Sequence, residues 1–420
     1  GARCDIPHSL YSYSFEKHAG TYTSQQEILD YLHFVADKYH LNENIRYDEN
    51  VARAKYISNK IGTSSNYWTV ETTTGGTYVC QFLILALGQL SHPKMPSNIP
   101  GLDTFQGRSC HTAQWDPSTP VSNARIGVVG TGASAIQVIG EVAKVASHVE
   151  VFQRTAFYVS PDFFGTRFQQ RIGQVSPWIN NTYRFILRCF LDFVYYRAVT
   201  GKWPWQGLVA WLCKLNLFFS IRDGDMRKQL TPTFPFGARR TLASNEYYST
   251  LTRRNVTLNT SGIERITKTG IIDKTGKETQ LDSIVYATGF KTFPYIQGID
   301  IVGTNNQSLD EHWSAAGSYA FYGIMTHGFP NLFLLYGPGT NLGRTSVLEM
   351  IEPQVDFVCQ LTASYMRKNG VSFVEVKKQV EANFVDKLDA ENKKTPFSKV
   401  QNSWYIEKGG RVARNWYGSV

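Results

Sequence analysis

The sequence has no long uninterrupted apolar run, no closely spaced cysteine pair and no cluster of basic residues. Its six cysteines (Cys4, Cys80, Cys110, Cys189, Cys213, Cys359) are scattered, without CxxC or Cys/His ligand spacing. That excludes the common zinc and redox motifs, predicts no metal, and reads as reduced thiols in a cytoplasmic protein. The most apolar stretch, Trp205 to Ile221, is interrupted by Lys214 and Asn216. It falls short of the ~20 apolar residues that span a bilayer, so it reads as a buried or interfacial helix, and membrane association is not expected. The net charge of +9 favours anionic partners, but with no Lys/Arg run those partners are cofactor phosphates, not nucleic acid. With 42% hydrophobic and 18% charged residues the chain is not disordered, and 420 residues allow two domains. One further lack matters: only one glycine-rich turn of dinucleotide-binding type is present, with none upstream.

Ser24-Gln-Gln-Glu27 is a capping box, and Ile28, Leu29, Leu32, Val35, Ala36 and Tyr39 follow at helical spacing. Trp68 to Thr73 and Tyr78 to Leu87 alternate as strands around a Gly75-Gly76 hairpin signal. Phe82 to Gly88 reads as a buried parallel strand ending at glycine, and Leu281 to Gly289 repeats that pattern. Pro93, Pro96 and Pro100 mark a crossover linker. A last strand, Asn331 to Tyr336, precedes a helix from about Thr345 to Ala363. The aromatic stretch after Ser160 predicts a helical insertion.

The one glycine-rich turn has a strong context. A strand from Arg125 to Val129 runs into Gly130-Thr131-Gly132-Ala133-Ser134-Ala135, and Ile136, Ile139, Val142 and Val145 predict the helix after it. Gly130 makes the tight turn, Gly132 lets a pyrophosphate approach the helix N-terminus, and Ala135 permits close packing. The next strand, His148 to Phe152, leads not to an acidic residue but to Gln153, Arg154 and Thr155. An arginine there suits a 2′-phosphate, favouring NADPH over NADH; the alternative is a solvated strand-end charge.

Upstream of the turn lie Phe105, Gly107, His111, Trp115 and Asp116. Their spacing resembles the Phe-x-Gly-x-x-x-His-x-x-x-Trp-Pro/Asp fingerprint of the Baeyer–Villiger monooxygenases, a branch of the class B flavin monooxygenases. The resemblance extends over essentially the whole chain, through Gly1-Ala-Arg-Cys-Asp5, Gly130 to Gln137, Phe152-Gln-Arg-Thr155, Ala287-Thr-Gly289, Gly328-Phe-Pro-Asn331 and Ser403-Trp-Tyr405. The Asn341-Leu-Gly-Arg-Thr-Ser stretch looks like fungal members. The implied fold is α/β, with two Rossmann-like dinucleotide-binding domains, the NADP domain inserted into the FAD domain. This places the FAD domain at 1–122 and 266–420, and the NADP domain at 123–265 with its helical insertion at about 165–231. The family's N-terminal FAD glycine fingerprint does not occur in the sequence, so the FAD domain is expected to be incomplete and FAD binding weak.

The implied reaction uses FAD, NADPH and O2 to insert one oxygen atom beside a ketone carbonyl, giving an ester or lactone. Such chemistry passes through anions, which a permanently charged guanidinium stabilises without acting as an acid. Phe236-Gly-Ala-Arg239-Arg240 matches the family segment bearing this arginine. The match assigns Arg240 to catalysis, Arg239 to the NADP phosphate, and Asp5 to orienting Arg240; read alone, Asp5 is equally a turn residue. Gln137, Thr155, Gly88, Asp282 and Gly289 join the cofactor-binding set. Thr345 and Ser346 join it before a helix that aims at the flavin. Trp404 either closes on NADP or is a packed aromatic. The fingerprint residues form an interdomain hinge, with His111 structural and bonded to backbone, not a general base. The substrate is a ketone of secondary metabolism. The alternatives are an N- or S-hydroxylating flavin enzyme, or a truncated NADP-binding protein without oxygenase activity. Oligomeric state is not legible.

Overall fold

The computed structural model describes residues 2–6, 10–16, 24–58, 66–162, 177–343, 345–368, 371–400, 403–407 and 409–418, and side chains are described throughout except at 177–181 and 184. The capping box forms as expected. Ser24 and Glu27 exchange hydrogen bonds at the start of α1 (Gln25–Lys38). Its buried face is narrower than the sequence pattern implies: Tyr31 and Val35 are buried, whereas Leu29 and Leu32 face outward. Strands β1 (Val51–Ile57), β2 (Tyr67–Thr72) and β3 (Thr77–Cys80) make an antiparallel meander, turning at Gly75 with φ +89°. Then come β4 (Leu83–Leu85), β5 (Arg108–His111) and β6 (Arg125–Val129). Helix α2 (Ala133–Val142) and β7 (His148–Phe152) complete a βαβ unit. The helix ends before Val145, which is 47% exposed rather than on the buried face.

After β8 (Val159–Ser160) the chain leaves the sheet. The described part of the insertion is α3 (Pro177–Phe190), a π-helical turn Leu191–Tyr195, α4 (Tyr196–Val199), α5 (Trp205–Ser220) and α6 (Gly224–Leu230). It returns through β9 (Leu242–Ala243), which pairs with β8. Helix α7 (Tyr247–Leu251) and β10 (Val256–Asn259) follow, then a small meander of β11 (Ile263–Ile266), β12 (Gly270–Asp273) and β13 (Glu278–Gln280). The last elements are β14 (Ser283–Tyr286), β15 (Asp300–Val302), α8 (Leu309–Ser314), β16 (Leu332–Leu334), α9 (Leu348–Arg367) and α10 (Lys378–Lys394). Among the described residues, no helix is long and apolar enough to cross a membrane.

The central sheet is parallel throughout, in the order β10-β7-β6-β14-β5. Its strands are nearly all apolar because helices cover it, as parallel sheets require; Ile126, Val128, Val149, Val151, Ile284 and Val285 are fully buried. This order corrects the expected boundaries. Strands β5 and β14 lie outside 123–265, yet β14 pairs with β6 in the middle of the sheet and β5 adds to its edge. Cuts at 122/123 and 265/266 would divide one sheet. A second core joins β1, β2, β4, β15, β16 and α8 around Trp68, Trp313 and Phe329. There β4 pairs in parallel with β16, though Ile84 is half-exposed, so this strand is less enclosed than its composition implies.

Candidate active site

The glycine-rich turn is built by close approach. Gly130 has φ +116°, and a Cβ there would lie 2.5 Å from the Ala287 carbonyl oxygen. A Cβ on Gly132 would meet nothing within 4 Å, so the N-terminus of α2 opens onto free space. Unpaired N–H groups and the helix dipole make that space suitable for a pyrophosphate. Ala135 is fully buried against the sheet. The Thr131 hydroxyl donates to the Thr155 carbonyl at 2.9 Å, tying the turn to the end of β7. Gln153 is buried and donates to the Gln229 carbonyl. Arg154 is exposed beside it.

Arg239 lies close enough to Arg154 to feel its charge. Burial lowers the Arg239 pKa first, and Arg154 lowers it further. The Arg239 guanidinium packs over Phe157 and Phe234, its carbon 5.9 and 5.5 Å from the ring centroids, and its Nε is buried without a partner. Two neighbouring cations, neither with a carboxylate partner among the described residues, fit the 2′-phosphate of NADPH.

Arg240 points elsewhere. Its Nη2 donates to Asp5 Oδ1 at 2.6 Å, across 235 residues of sequence. Burial alone would lower the Arg240 pKa, but the Asp5 charge and hydrogen bond raise it above its ordinary value. The pair borders a cavity of about 350 Å³, also lined by Cys4, Tyr11, Leu342, Thr345 and Val347. That volume lies within the ~300–1,000 Å³ of small-molecule sites. Burial pushes the Cys4 thiol up to about 11, so it stays protonated at neutral pH. Thr345 and Ser346 are buried just ahead of α9, which starts at Leu348, later than expected. Thr345 bonds to Glu349 at 2.6 Å, and the Ser346 hydroxyl accepts from the Leu348 N–H. The Thr345 O–H and the first N–H groups of α9 are thus already bonded, and the Arg240 guanidinium is the charged donor on this wall.

Sequence reasoning missed Tyr195 and Tyr336 near Arg240, and named Tyr405 only as part of the Ser403-Trp-Tyr405 landmark. The Tyr195, Tyr336 and Tyr405 pKa values all respond to its charge, with burial raising each and taking Tyr405 to about 12. They come from three distant segments, so no local pattern brings them together. Trp404 packs at a tilt of 49° on Tyr405, 4.7 Å between centroids, and Tyr405 feels the charges of both Arg240 and Arg239.

Gly88 and Gly289 end β4 and β14 regions with φ +69° and +82° and with open space at their Cβ positions. The linkers beyond them run antiparallel: Lys94 donates to the Gly289 carbonyl and Lys291 to the His92 carbonyl. The fingerprint braces this crossing. A Cβ on Gly107 would meet the Asp282 carbonyl oxygen at 2.6 Å and Phe105 at 2.5 Å. Phe105 packs with Leu102 on the cluster of Ile266, Leu281 and Tyr286. His111 is buried, and its Nδ1 accepts from the Ala113 N–H at 3.1 Å. Its Nε2 therefore carries the proton, next to the Gly289 backbone, and burial lowers its pKa. Asp116 caps Ser118 through its N–H and hydroxyl at 2.8 and 2.7 Å. Trp115 is 41% exposed and away from the arginines' partners.

Two expected cofactor residues lie differently. Asp282 precedes β14, so it sits at the opposite end of the sheet from Gly130 and Gly289; Gly130 is level with Ala287, about 16 Å from Asp282 at ~3.3 Å per strand residue. Its carboxylate holds the Arg125 N–H and guanidinium at 2.7 and 3.0 Å, which is strand bracing, not cofactor contact. Gln137 has its amide occupied: it exchanges two 3.0 Å hydrogen bonds with the Arg3 backbone.

A family model described as pyridine nucleotide-disulphide oxidoreductase matches residues 8–189. An FAD-binding monooxygenase of Aspergillus niger is 32% identical over 445 residues, covering 100% of this chain and 71% of that protein. A Baeyer–Villiger monooxygenase of Streptomyces coelicolor is 31% identical over 430 residues, covering 100% and 80%. An oxidised steroid monooxygenase bound to NADP superposes with a TM-score of 0.83 at 29% identity, over 100% of this chain and 86% of that one. These likenesses cover the whole chain: the chain belongs to the Baeyer–Villiger monooxygenase family of flavin-dependent monooxygenases.

Proposed function

We propose that the chain uses FAD, NADPH and O2 to insert one oxygen atom beside the carbonyl of a small-molecule ketone, giving an ester or lactone. The observation that carries this reading is the Asp5–Arg240 pair at the cavity wall, one residue from the Arg239 that adjoins Arg154. The segment thus serves two anions, a cofactor phosphate on one side and a reacting oxygen on the other.

Bound FAD would accept a hydride from NADPH and activate O2. The protein's own groups bind and stabilise. The N-terminus of α2 receives the NADPH pyrophosphate, and Arg154 and Arg239 receive its 2′-phosphate. Arg240 holds a fixed positive charge where oxygen becomes anionic and does not give up a proton, because Asp5 keeps it charged. Tyr195, Tyr336 and Tyr405, all raised by burial, stay neutral near that charge. His111 stays neutral and holds the linker crossing rather than moving a proton. The described cysteines are all free thiols, which fits a cytoplasmic setting.

The test is incubation of the chain with FAD, NADPH, isotopically labelled O2 and a panel of ketones, with products read by mass spectrometry. One labelled oxygen in an ester or lactone is expected. Oxidation of amine or thioether probes with no ester from any ketone would instead assign the hydroxylating chemistry of the sister branch.

A further inference from the structure

The outer face of the helical insertion is apolar and basic, and nothing among the described residues covers it. Helix α5 is apolar on both sides. Val209, Cys213 and Leu217 are buried against the Phe234–Ala238 segment. Leu208, Trp211, Leu215, Phe218 and Phe219 fall on the opposite side, within an arc of about 100° at 3.6 residues per turn. Of these, Trp211, Phe218 and Phe219 are 53%, 56% and 77% exposed. A surface helix of a water-soluble protein ordinarily turns polar residues outward. The patch continues past the helix: Trp203, in the turn ahead of α5, is 91% exposed, and exposed Phe193 packs edge-on against Trp205. Exposed Phe185, Ile186 and Phe190 extend it along α3.

Charge decides the occupant. Between residues 185 and 228 the basic residues are Arg188, Arg197, Lys202, Lys214, Arg222, Arg227 and Lys228, against the acids Asp192, Asp223 and Asp225; Arg188 pairs with Glu349 and Lys228 with Asp225, and the balance stays positive. They interleave with the rings: Lys202 adjoins Trp203, Lys214 lies between Trp211 and Phe218, and Arg222 follows Phe219. A second copy would set like charge against like charge across the patch. A bilayer surface with anionic phospholipid headgroups takes rings into its apolar boundary and Lys/Arg at its phosphates. We propose that the insertion docks the protein peripherally on such a surface. The sequence left this stretch open as a buried or an interfacial helix, with membrane association not expected. The inference does not depend on the oxygenation reading. It does place the docking face on the element that packs the catalytic segment, since Gln206 Nε2 donates to the Phe236 carbonyl and Gly237 lies against Val199.

The test is co-sedimentation with phosphatidylcholine vesicles, with and without phosphatidylserine, in low and high salt. Binding is expected only with phosphatidylserine present and is expected to fall with salt. Trp203→Ser with Phe219→Ser removes two outward rings and leaves the fold and NADPH binding unchanged; it should cut the bound fraction about tenfold. Failure of the wild-type chain to bind either vesicle would overturn the proposal, as would equal binding by the double variant. A concentration-dependent oligomer abolished by the same double variant would overturn it in favour of self-association.

Discussion

The Gln137 side-chain amide pairs with both the N–H and the carbonyl of Arg3, at 3.0 Å in each direction. Helix α2 thereby carries two loads. Its N-terminus faces the open side of the glycine-rich turn, and its second turn fixes the strand-like segment that ends in Asp5. The Arg3–Glu141 ion pair adds to the same attachment but is exposed on both sides and contributes little. Gln137→Ala removes two hydrogen bonds, each worth about 1 kcal/mol. The expected outcome is loss of Asp5 placement: ester formation falls about tenfold, with the KM for NADPH unchanged. Steady-state kinetics with ketone and with NADPH varied separately checks it.

Arg240→Ala should separate the two halves of the reaction. Removing a charge aimed at a developing oxyanion costs about 10²–10³ in rate, whereas flavin reduction does not use that charge. NADPH oxidation should persist while ester formation disappears into uncoupled turnover. Because Asp5 raises the Arg240 pKa above its ordinary value, its charge is complete at neutral and moderately alkaline pH. The pairing contributes stability below the unfolded pKa and loses it only as pH rises through the still higher folded value. Ester formation in the wild type should therefore show no loss from this group up to about pH 10. A stopped-flow trace of flavin reduction beside a product assay reads both outcomes.

What the sequence made legible was local. The βαβ unit announced itself through strand, Gly130, Gly132 and helix in one window, and the capping box at Ser24 did the same for α1. Pairing between distant strands leaves no such mark. Leu281 to Gly289 was readable as a strand ending in glycine, but not as the neighbour of Arg125–Val129, so the expected boundaries cut the central sheet. Asp282 was misplaced for a related reason: its number lies near Gly289, while the strand between them puts the two at opposite ends. The arginines and the segment carrying Tyr405 were named through family resemblance; that Tyr195, Tyr336 and Tyr405 all feel the Arg240 charge was not legible, because they converge only in the fold.

Burial lowers the pKa values of His111 and His312 from the ordinary 6.5. The unfolded chain therefore binds more protons than the native one below about pH 6.5, and stability falls as pH drops through that region. Thermal melting followed from pH 8 to pH 5 should show this decline. His111→Gln keeps an acceptor for the Ala113 N–H and removes one titrating group, so its melting temperature should depend less steeply on pH. An unchanged slope would mean that His111 has the same pKa in the folded and unfolded chain, so that burial does not shift it.

Gly107→Ala tests whether the fingerprint braces the fold or acts in the chemistry. The added methyl would press on the Asp282 carbonyl and the Phe105 ring, forcing β5 away from the start of β14. Overpacking of this kind costs about 1–3 kcal/mol. The variant should unfold at lower denaturant concentration, yet its folded fraction should reduce flavin at the normal rate. Equilibrium unfolding and single-turnover reduction on the same preparation distinguish the two.

The proposed 2′-phosphate site gives Arg154 and Arg239 unequal positions, and that inequality predicts different losses. Arg154 is exposed and screened, so Arg154→Ala should raise the KM for NADPH about tenfold while leaving NADH, which lacks the phosphate, unaffected. Arg239 is half-buried over Phe157 and Phe234, and its guanidinium also fills space. Arg239→Ala should therefore weaken NADPH more strongly and lower stability as well, whereas Arg239→Lys restores charge but neither the flat ring contact nor the two-pronged grip on phosphate. Kinetics of all three variants with both nicotinamide cofactors decides the matter. If NADPH and NADH suffer equally in Arg154→Ala, the residue is a solvated strand-end charge, and the 2′-phosphate is read by Arg239 alone.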